Sequence, residues 1–437
     1  GTSYSKWSGR CDECGAWNSL VEQEAASSGA SAVARSESRG KKISTKTMAA
    51  IEIDSTSDRL STGMSDLDDV LGGGILPGGV SLLAGQPGIG KSTLLLQIAA
   101  TIADGASVLY VSGEESASQV KLRAERLGAK GGDKLEFAAS TSADDIAATI
   151  RSGHYQLVII DSIQTLSLDE VASAPGSVSQ ITNASNVIIR AAKSSGSAVI
   201  LVGHVTKEGS IAGPKVLEHL VDVVLQFEGD RYGGFKMLRA VKNRYGSTSE
   251  VAIFEMDESG LAPVKNPSAA LLAERQTGDG SIVLATMEGN RPLLVEIQAL
   301  VNPTSFGYPK RTASGFDLNR LNLLIAVLER RTKLKLSDKD IYINVVGGLR
   351  LADAAADLAI CMAIASAATE RKLPDGMVVF GEVGLGGEVR SAQHAMRRVD
   401  EAKKLGFDSA LAPKGANKTT FIKDTRELRQ ALVDYLT

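Results

Sequence analysis

The stretch that most limits what this chain can fold into is Gly85-Gln86-Pro87-Gly88-Ile89-Gly90-Lys91-Ser92-Thr93. It follows an apolar run, Val80-Ser81-Leu82-Leu83-Ala84, and precedes a helical pattern from Leu94 to Ala100. Strand, glycine-rich turn and helix is the setting that a G-x-x-x-x-G-K-[ST] phosphate loop requires. Gly85, Gly88 and Gly90 let the backbone curl so that successive N–H groups face one anion, and the helix that follows adds its positive dipole end. Lys91 offers a point charge to the terminal phosphates, and Ser92 a hydroxyl oxygen to Mg²⁺. A glycine-rich turn with a chance lysine would rarely match the pattern throughout, so the segment is assigned to ATP or ADP.

At 437 residues the chain has room for two ordinary domains and a small appendage. Its apolar content of 43% suffices for real cores, and no apolar run approaches a bilayer span. Neither a membrane nor a secretory signal is expected, and three cysteines are too few for a disulfide framework. A reducing, cytoplasmic location follows as the expectation. With a net charge of −3, any contact with a polyanion must come from local basic patches.

Cys11-Asp12-Glu13-Cys14-Gly15 is half of a four-thiolate zinc site. Upstream residues supply no further pair, and Cys361 sits in an Ala-rich segment that reads as buried. A metal-free remnant over 1–23 is therefore expected. Composition predicts a flexible tether over 24–49, where Arg35, Arg39, Lys41 and Lys42 read as solvated charge. From Val80 strands and helices alternate, the pattern of a mostly parallel sheet covered on both faces. Leu157-Val158-Ile159-Ile160-Asp161 is a buried strand closing on an acid suited to Mg²⁺. Glu114 ends the preceding strand and is the candidate to align the attacking water, with Glu115 its rival. His204 stands just past a further strand, where it either senses the nucleotide or closes a strand-end hydrogen bond. Loops over 168–178 and 205–215 follow strands on the same side.

This order resembles the RecA-type motor ATPases, and Ser61-Thr62-Gly63-Met64 with Gly72-Gly73-Gly74 is similar to their approach sequence. Lys242-Asn243-Arg244-Tyr245-Gly246 resembles the signature pentapeptide of the bacterial RadA (Sms) DNA repair family, which usually carries Phe where this chain has Tyr245. The family usually has a zinc ribbon, represented here only by Cys11 and Cys14. The resemblance implies sites between subunits of a homohexamer, with Lys242 and Arg244 completing a neighbour's γ-phosphate site. Spacing alone leaves a surface Lys-Asn-Arg turn open. It further implies that the two loops hold single-stranded or branched DNA, with Ser177, Ser179, Lys207 and Lys215 as candidate contacts, largely without reading bases. The recombinase RecA and a replicative helicase are the implied partners.

The segment 50–265 is thus read as a RecA-like ATPase domain. Residues 266–437 resemble the proteolytic domain of Lon, an α+β fold, through Pro292 to Leu300 and Gly381-Glu382-Val383-Gly384-Leu385. Lon uses a serine activated by a lysine. Those positions fall on Ala355 and Met396 here, so an inactive scaffold is expected. Asp353 and Asp357 share a helical face and read as favourable first-turn charge. Lys310, Arg311, Arg320, Arg330 and Arg331 form a basic patch that either meets DNA or is simply solvated. The leading expectation is a DNA-dependent ATPase that moves along single-stranded DNA and extends recombination joints. An ATP-dependent protease and a nucleotide-gated signalling ATPase of circadian-clock type are the alternatives. The first lacks its serine and lysine, and the second generally carries a duplicated ATPase domain that this chain lacks.

Overall fold

Two sheets divide the described chain, one behind the phosphate loop and one in the C-terminal part. The computed structural model describes Thr45, Thr47, Met48 and residues 59–129, 132–204, 216–229, 234–305, 307–416 and 419–436. The expectations for Cys11, Cys14, Lys207 and Lys215, and for the tether apart from Thr45, Thr47 and Met48, lie outside these residues.

The first sheet is built from β1 (Val80–Gly85), β2 (Val108–Ser112), β3 (Leu135–Ala139), β4 (Leu157–Asp161), β5 (Ala198–His204), β6 (Val223–Gly229), β7 (Lys236–Asn243), β8 (Val251–Asp257) and β9 (Gly260–Pro263). Their order is β3-β2-β4-β5-β1-β6-β7-β8-β9. The six strands from β3 to β6 pair in parallel, and β7, β8 and β9 extend the sheet antiparallel. Strands β1, β2 and β4 are buried at every position, as expected of a sheet covered on both faces. Helices α1 (Ser65–Leu71), α2 (Lys91–Ala103), α3 (Ala117–Arg126), α4 (Ala143–Ser152), α5 (Val178–Ser195) and α6 (Val216–Leu220) belong to this half. Leu94, Leu95 and Ile98 of α2 join Leu83, Ile159 and Val202 in one core layer. Ile181, Ala184 and Ile188 of α5 join Val80, Val158 and Leu201 in another. This is the mostly parallel α/β sheet that the alternating pattern predicts, in keeping with the RecA-like fold that the resemblance implies.

The second sheet takes β10 (Ser281–Glu288), β11 (Arg291–Pro303), β12 (Arg311–Ser314), β13 (Lys339–Val345), β14 (Met377–Val379), β17 (Ser409–Pro413) and β18 (Ile422–Thr425), in the order β12-β13-β11-β10-β14-β17-β18. A small hairpin pairs β15 (Glu382–Val383) with β16 (Val389–Arg390). Around it stand α7 (Pro267–Leu272), α8 (Leu318–Thr332), α9 (Asp357–Thr369), α10 (Ala395–Lys404) and α11 (Leu428–Leu436). Helix α9, rich in Ala, Ile and Met, is buried from Asp357 to Ser366, which suits a sequence apolar on all sides.

The two halves share a core. Met237, Val251 and Ile253 from β7 and β8 pack with Leu284, Leu294 and Ile343 of the second sheet. Arg291 pairs with Asp66 at 2.7 Å across the same junction. At Gly289 (φ +57°) an added Cβ would lie 2.2 Å from the Ser249 carbonyl oxygen, so only glycine permits this approach. Among the described residues no helix is long and apolar enough to cross a membrane.

Candidate functional site

The phosphate loop leaves β1 at a turn where Gly85 and Gly90 are closely approached by their neighbours. A Cβ at Gly85 would sit 2.8 Å from the Phe227 carbonyl oxygen, and one at Gly90 would meet Met256 at the same distance. Gly90 also adopts φ +115°, which L side chains rarely take. The turn delivers Lys91 at the start of α2, only 5% exposed. Its ammonium donates to the carbonyls of Gly85 (2.8 Å) and Gln86 (3.1 Å). Burial lowers its pKa to about 8, and the negative charges of Asp161 and Glu114 pull in the other direction.

His204 ends β5 directly beside Gly85. The Lys91 ammonium lies 3.2 Å from its Nδ1. A charged ammonium cannot accept, so Nδ1 is the acceptor and the ring proton sits on Nε2, 3.7 Å from Glu114 Oε1. The same Glu114 oxygen accepts from the Ser162 hydroxyl at 2.7 Å. Lys91, His204, Glu114 and Ser162 thus form one chain of contacts, which gives His204 a partner in the site. Its rival Glu115 is held differently: both its oxygens face the Arg123 guanidinium, the longer contact at 2.7 Å.

Asp161 ends β4 opposite Ser112 of β2. Its Oδ2 accepts from the Tyr110 hydroxyl at 2.9 Å. Its Oδ1 and the Ser92 hydroxyl make no hydrogen bond among the described residues. Pro87, Gly88, Gly90, Lys91, Ser92 and Thr93 line a cavity of about 460 Å³, and Glu114, Glu115, Asp161 and His204 close it. A hydroxyl and a carboxylate oxygen at such a mouth are the hard donors that Mg²⁺ takes, so the residues fit that ion. Gln86 contributes its carbonyl to Lys91, and Ile89 packs into the core.

The pentapeptide sits elsewhere. Strand β7 runs to Asn243, so Lys242 lies within the strand and Arg244 just after it. Asn243 pairs with Val223, which faces Ser81 at the start of β1, while the phosphate loop leaves the far end. That separation is roughly 15 Å at the usual strand rise, beyond the reach of Arg244 toward its own loop. Lys242 donates to the carbonyls of Glu218 and Val221, both at 2.7 Å. Arg244 lies 3.2 Å from Asp222, which also binds Lys193 at 2.6 Å and the Val80 N–H at 3.0 Å. Burial by itself would raise the Asp222 pKa, but Lys193, the Val80 N–H and Tyr245 hold it below the ordinary carboxylate value.

Helix α5 begins at Val178, so Ser179 lies in its first turn and Ser177 caps it. The Ser177 hydroxyl accepts from the Gln180 N–H (3.3 Å) and donates to Ser173 (3.1 Å). Gln180, which the sequence did not single out, organises the preceding loop from a buried position. Its amide bonds Leu168, Val171 and Ser173 main-chain groups at 2.9 to 3.2 Å.

In the C-terminal half the basic patch is partly dismantled. Arg320 forms an ion pair with buried Asp357, and Arg311 donates to the Leu336 carbonyl at 3.2 Å. The Lys310 N–H donates to Asp340 at 2.7 Å. The two aspartates do not share a helical face: α9 begins at Asp357, Asp353 caps the 3₁₀ turn before it, and each has its own arginine. Asp353 accepts from Arg398, 1% exposed, at 2.6 Å. Arg398 also donates to the Ala285 carbonyl at 2.7 Å and lies over the Phe380 ring. Ala355, in the 3₁₀ turn Ala354–Ala356, is buried beside this pair, and Met396 is in α10.

Residues 48–210 match the family model described as an AAA domain, and residues 321–416 match that of subunit ChlI of Mg-chelatase. DNA repair protein RadA of Pseudomonas aeruginosa is 47% identical over 418 residues, covering 95% of this chain and 91% of that protein. The same protein of Halalkalibacterium halodurans is 49% identical over 415 residues (94% and 90%), and that of Bacillus subtilis 48% over 418 (94% and 90%). Among solved structures, the RadB recombinase covers 47% of this chain and 100% of its own at TM-score 0.38 and 22% identity. Identity at this level, sustained across both sheets, places the chain in the family of DNA repair protein RadA.

Proposed function

We propose that this chain is a DNA-dependent ATPase of recombinational repair, which moves along single-stranded DNA as a homohexameric ring and promotes branch migration. The observation that carries the ATPase reading is the cavity that gathers Lys91, Ser92, Glu114, Asp161 and His204 at the mouth of the phosphate loop. There the backbone N–H groups of Gly88 to Ser92 and the dipole of α2 hold the phosphates, and Lys91 faces the terminal ones. Glu114, unlike arginine-bound Glu115, is placed to orient a water. Ser92 and Asp161 would hold Mg²⁺, which when bound neutralises charge on the phosphates.

The remoteness of Arg244 from its own loop supports a role at a neighbour's γ-phosphate, with Lys242 beside it. The likeness to RadA proteins supports DNA as the cargo, with RecA and a replicative helicase as partners and the cytoplasm as location. Residues 50–265 would form the ATPase domain and 266–437 a scaffold, with Ser177, Ser179, Lys207, Lys215, Lys310 and Arg311 as candidate DNA contacts. Residues 1–23, a zinc-ribbon remnant with Cys11 and Cys14, and the tether 24–49 complete this division. ATP turnover measured with and without single-stranded DNA tests the proposal. Stimulation by DNA that Lys91→Ala abolishes is expected, and an unchanged rate in that variant would contradict it.

A further inference from the structure

We infer that Tyr110 is a positioning residue for the metal: its hydroxyl fixes Asp161 in the orientation that leaves Oδ1 for Mg²⁺. The inference rests on the reading of Asp161 as a metal-holding residue. Tyr110 lies in β2 and Asp161 ends β4, neighbours in register, with Ser112 opposite Asp161 and Tyr110 opposite Ile159. Residues two apart on a strand point to the same face, so the phenol reaches along that face to the carboxylate. The contact is 2.9 Å, and the partners are 2% and 9% exposed. The Tyr110 ring stacks on Phe137 with centroids 6.5 Å apart, which limits its own rotation.

A short carboxylate side chain at a strand end can present either oxygen to the cavity. Anchoring one of them spares the entropy and rearrangement otherwise needed when an ion arrives. Hydrogen-bonded partners of this kind are typically worth about 10- to 100-fold in metal affinity. Nothing in the primary pattern marks Tyr110, since an aromatic residue inside a buried strand reads as core.

Tyr110→Phe keeps the ring and removes only the donor. The full chain is titrated with MgCl₂ while binding of a fluorescent, non-hydrolysed ATP analogue is followed, and again in EDTA. The expected result is a Mg²⁺ midpoint raised about 10- to 100-fold, with binding in EDTA unchanged. An unchanged or lowered midpoint, or an equal loss of binding in EDTA, overturns the inference. Asp161→Asn, run alongside, separates the two levels. If it too leaves the midpoint in place, Asp161 does not hold the ion and the underlying reading falls with the inference. If it moves the midpoint while Tyr110→Phe does not, only the role of Tyr110 fails.

Discussion

Lys91 carries a charge in a place that burial makes costly. Below pH about 8 its ammonium is already protonated, so nucleotide binding needs no proton from this group. Above that pH the free site loses the charge, while bound phosphate favours it, so binding takes up a proton. Affinity should then fall with rising pH, approaching about tenfold per unit until the bound-state pKa is reached. Titration of a fluorescent nucleotide between pH 7 and 10 checks this, and a flat profile would contradict it. Two adjacent acids give a second contrast. Glu114→Gln should lower kcat by on the order of 10²–10⁴, the usual worth of a positioned base. Glu115→Gln should cost far less in kcat and should loosen Arg123. Steady-state kinetics of the two variants decide between them. The motif shows Lys91 directly, but it cannot rank Glu114 over Glu115, because the difference lies in partners: Arg123 for one, Ser162 and His204 for the other.

Strands β1, β2 and β4 and the helix after the phosphate loop are legible from apolar runs and glycine spacing, because one local pattern sets each. The contents of the second half are less so. By the resemblance to Lon, Ala355 and Met396 are the expected positions of a serine and a lysine. The Arg398–Asp353 pair beside Ala355 joins residues far apart in the chain, and no short-range signal announces it. Removing one partner of a buried pair strands the other, which typically costs about 3–5 kcal/mol, whereas an apolar replacement of both is often tolerated. Arg398→Ala should therefore lower unfolding stability by about that much. Arg398→Met with Asp353→Leu should recover a large part of it. Urea unfolding of the two variants makes the comparison, and equal midpoints would show that the pair is not what holds this corner.

At the scale of the molecule, the nine-stranded sheet separates two sets of groups that the proposed function brings together between subunits. The phosphate loop leaves one end of β1, and Arg244 sits by Asp222 at the other. The pentapeptide is plain in the sequence, but its distance from the loop depends on β6 and β7 folding back antiparallel. The shared core of β7, β8 and the second sheet has a similar origin, for it needs the tertiary arrangement before any residue is buried. Under the proposed function, a single chain with this layout would hold half of two sites, one at each end of its sheet. The most direct test of the account mixes two inactive proteins, Lys91→Ala and Arg244→Ala, and measures DNA-stimulated ATP turnover. Mixed rings should regain part of the lost rate, since some borders pair an intact Lys91 with an intact Arg244. No recovery at any ratio, with mixed assembly verified, would contradict a site shared between subunits.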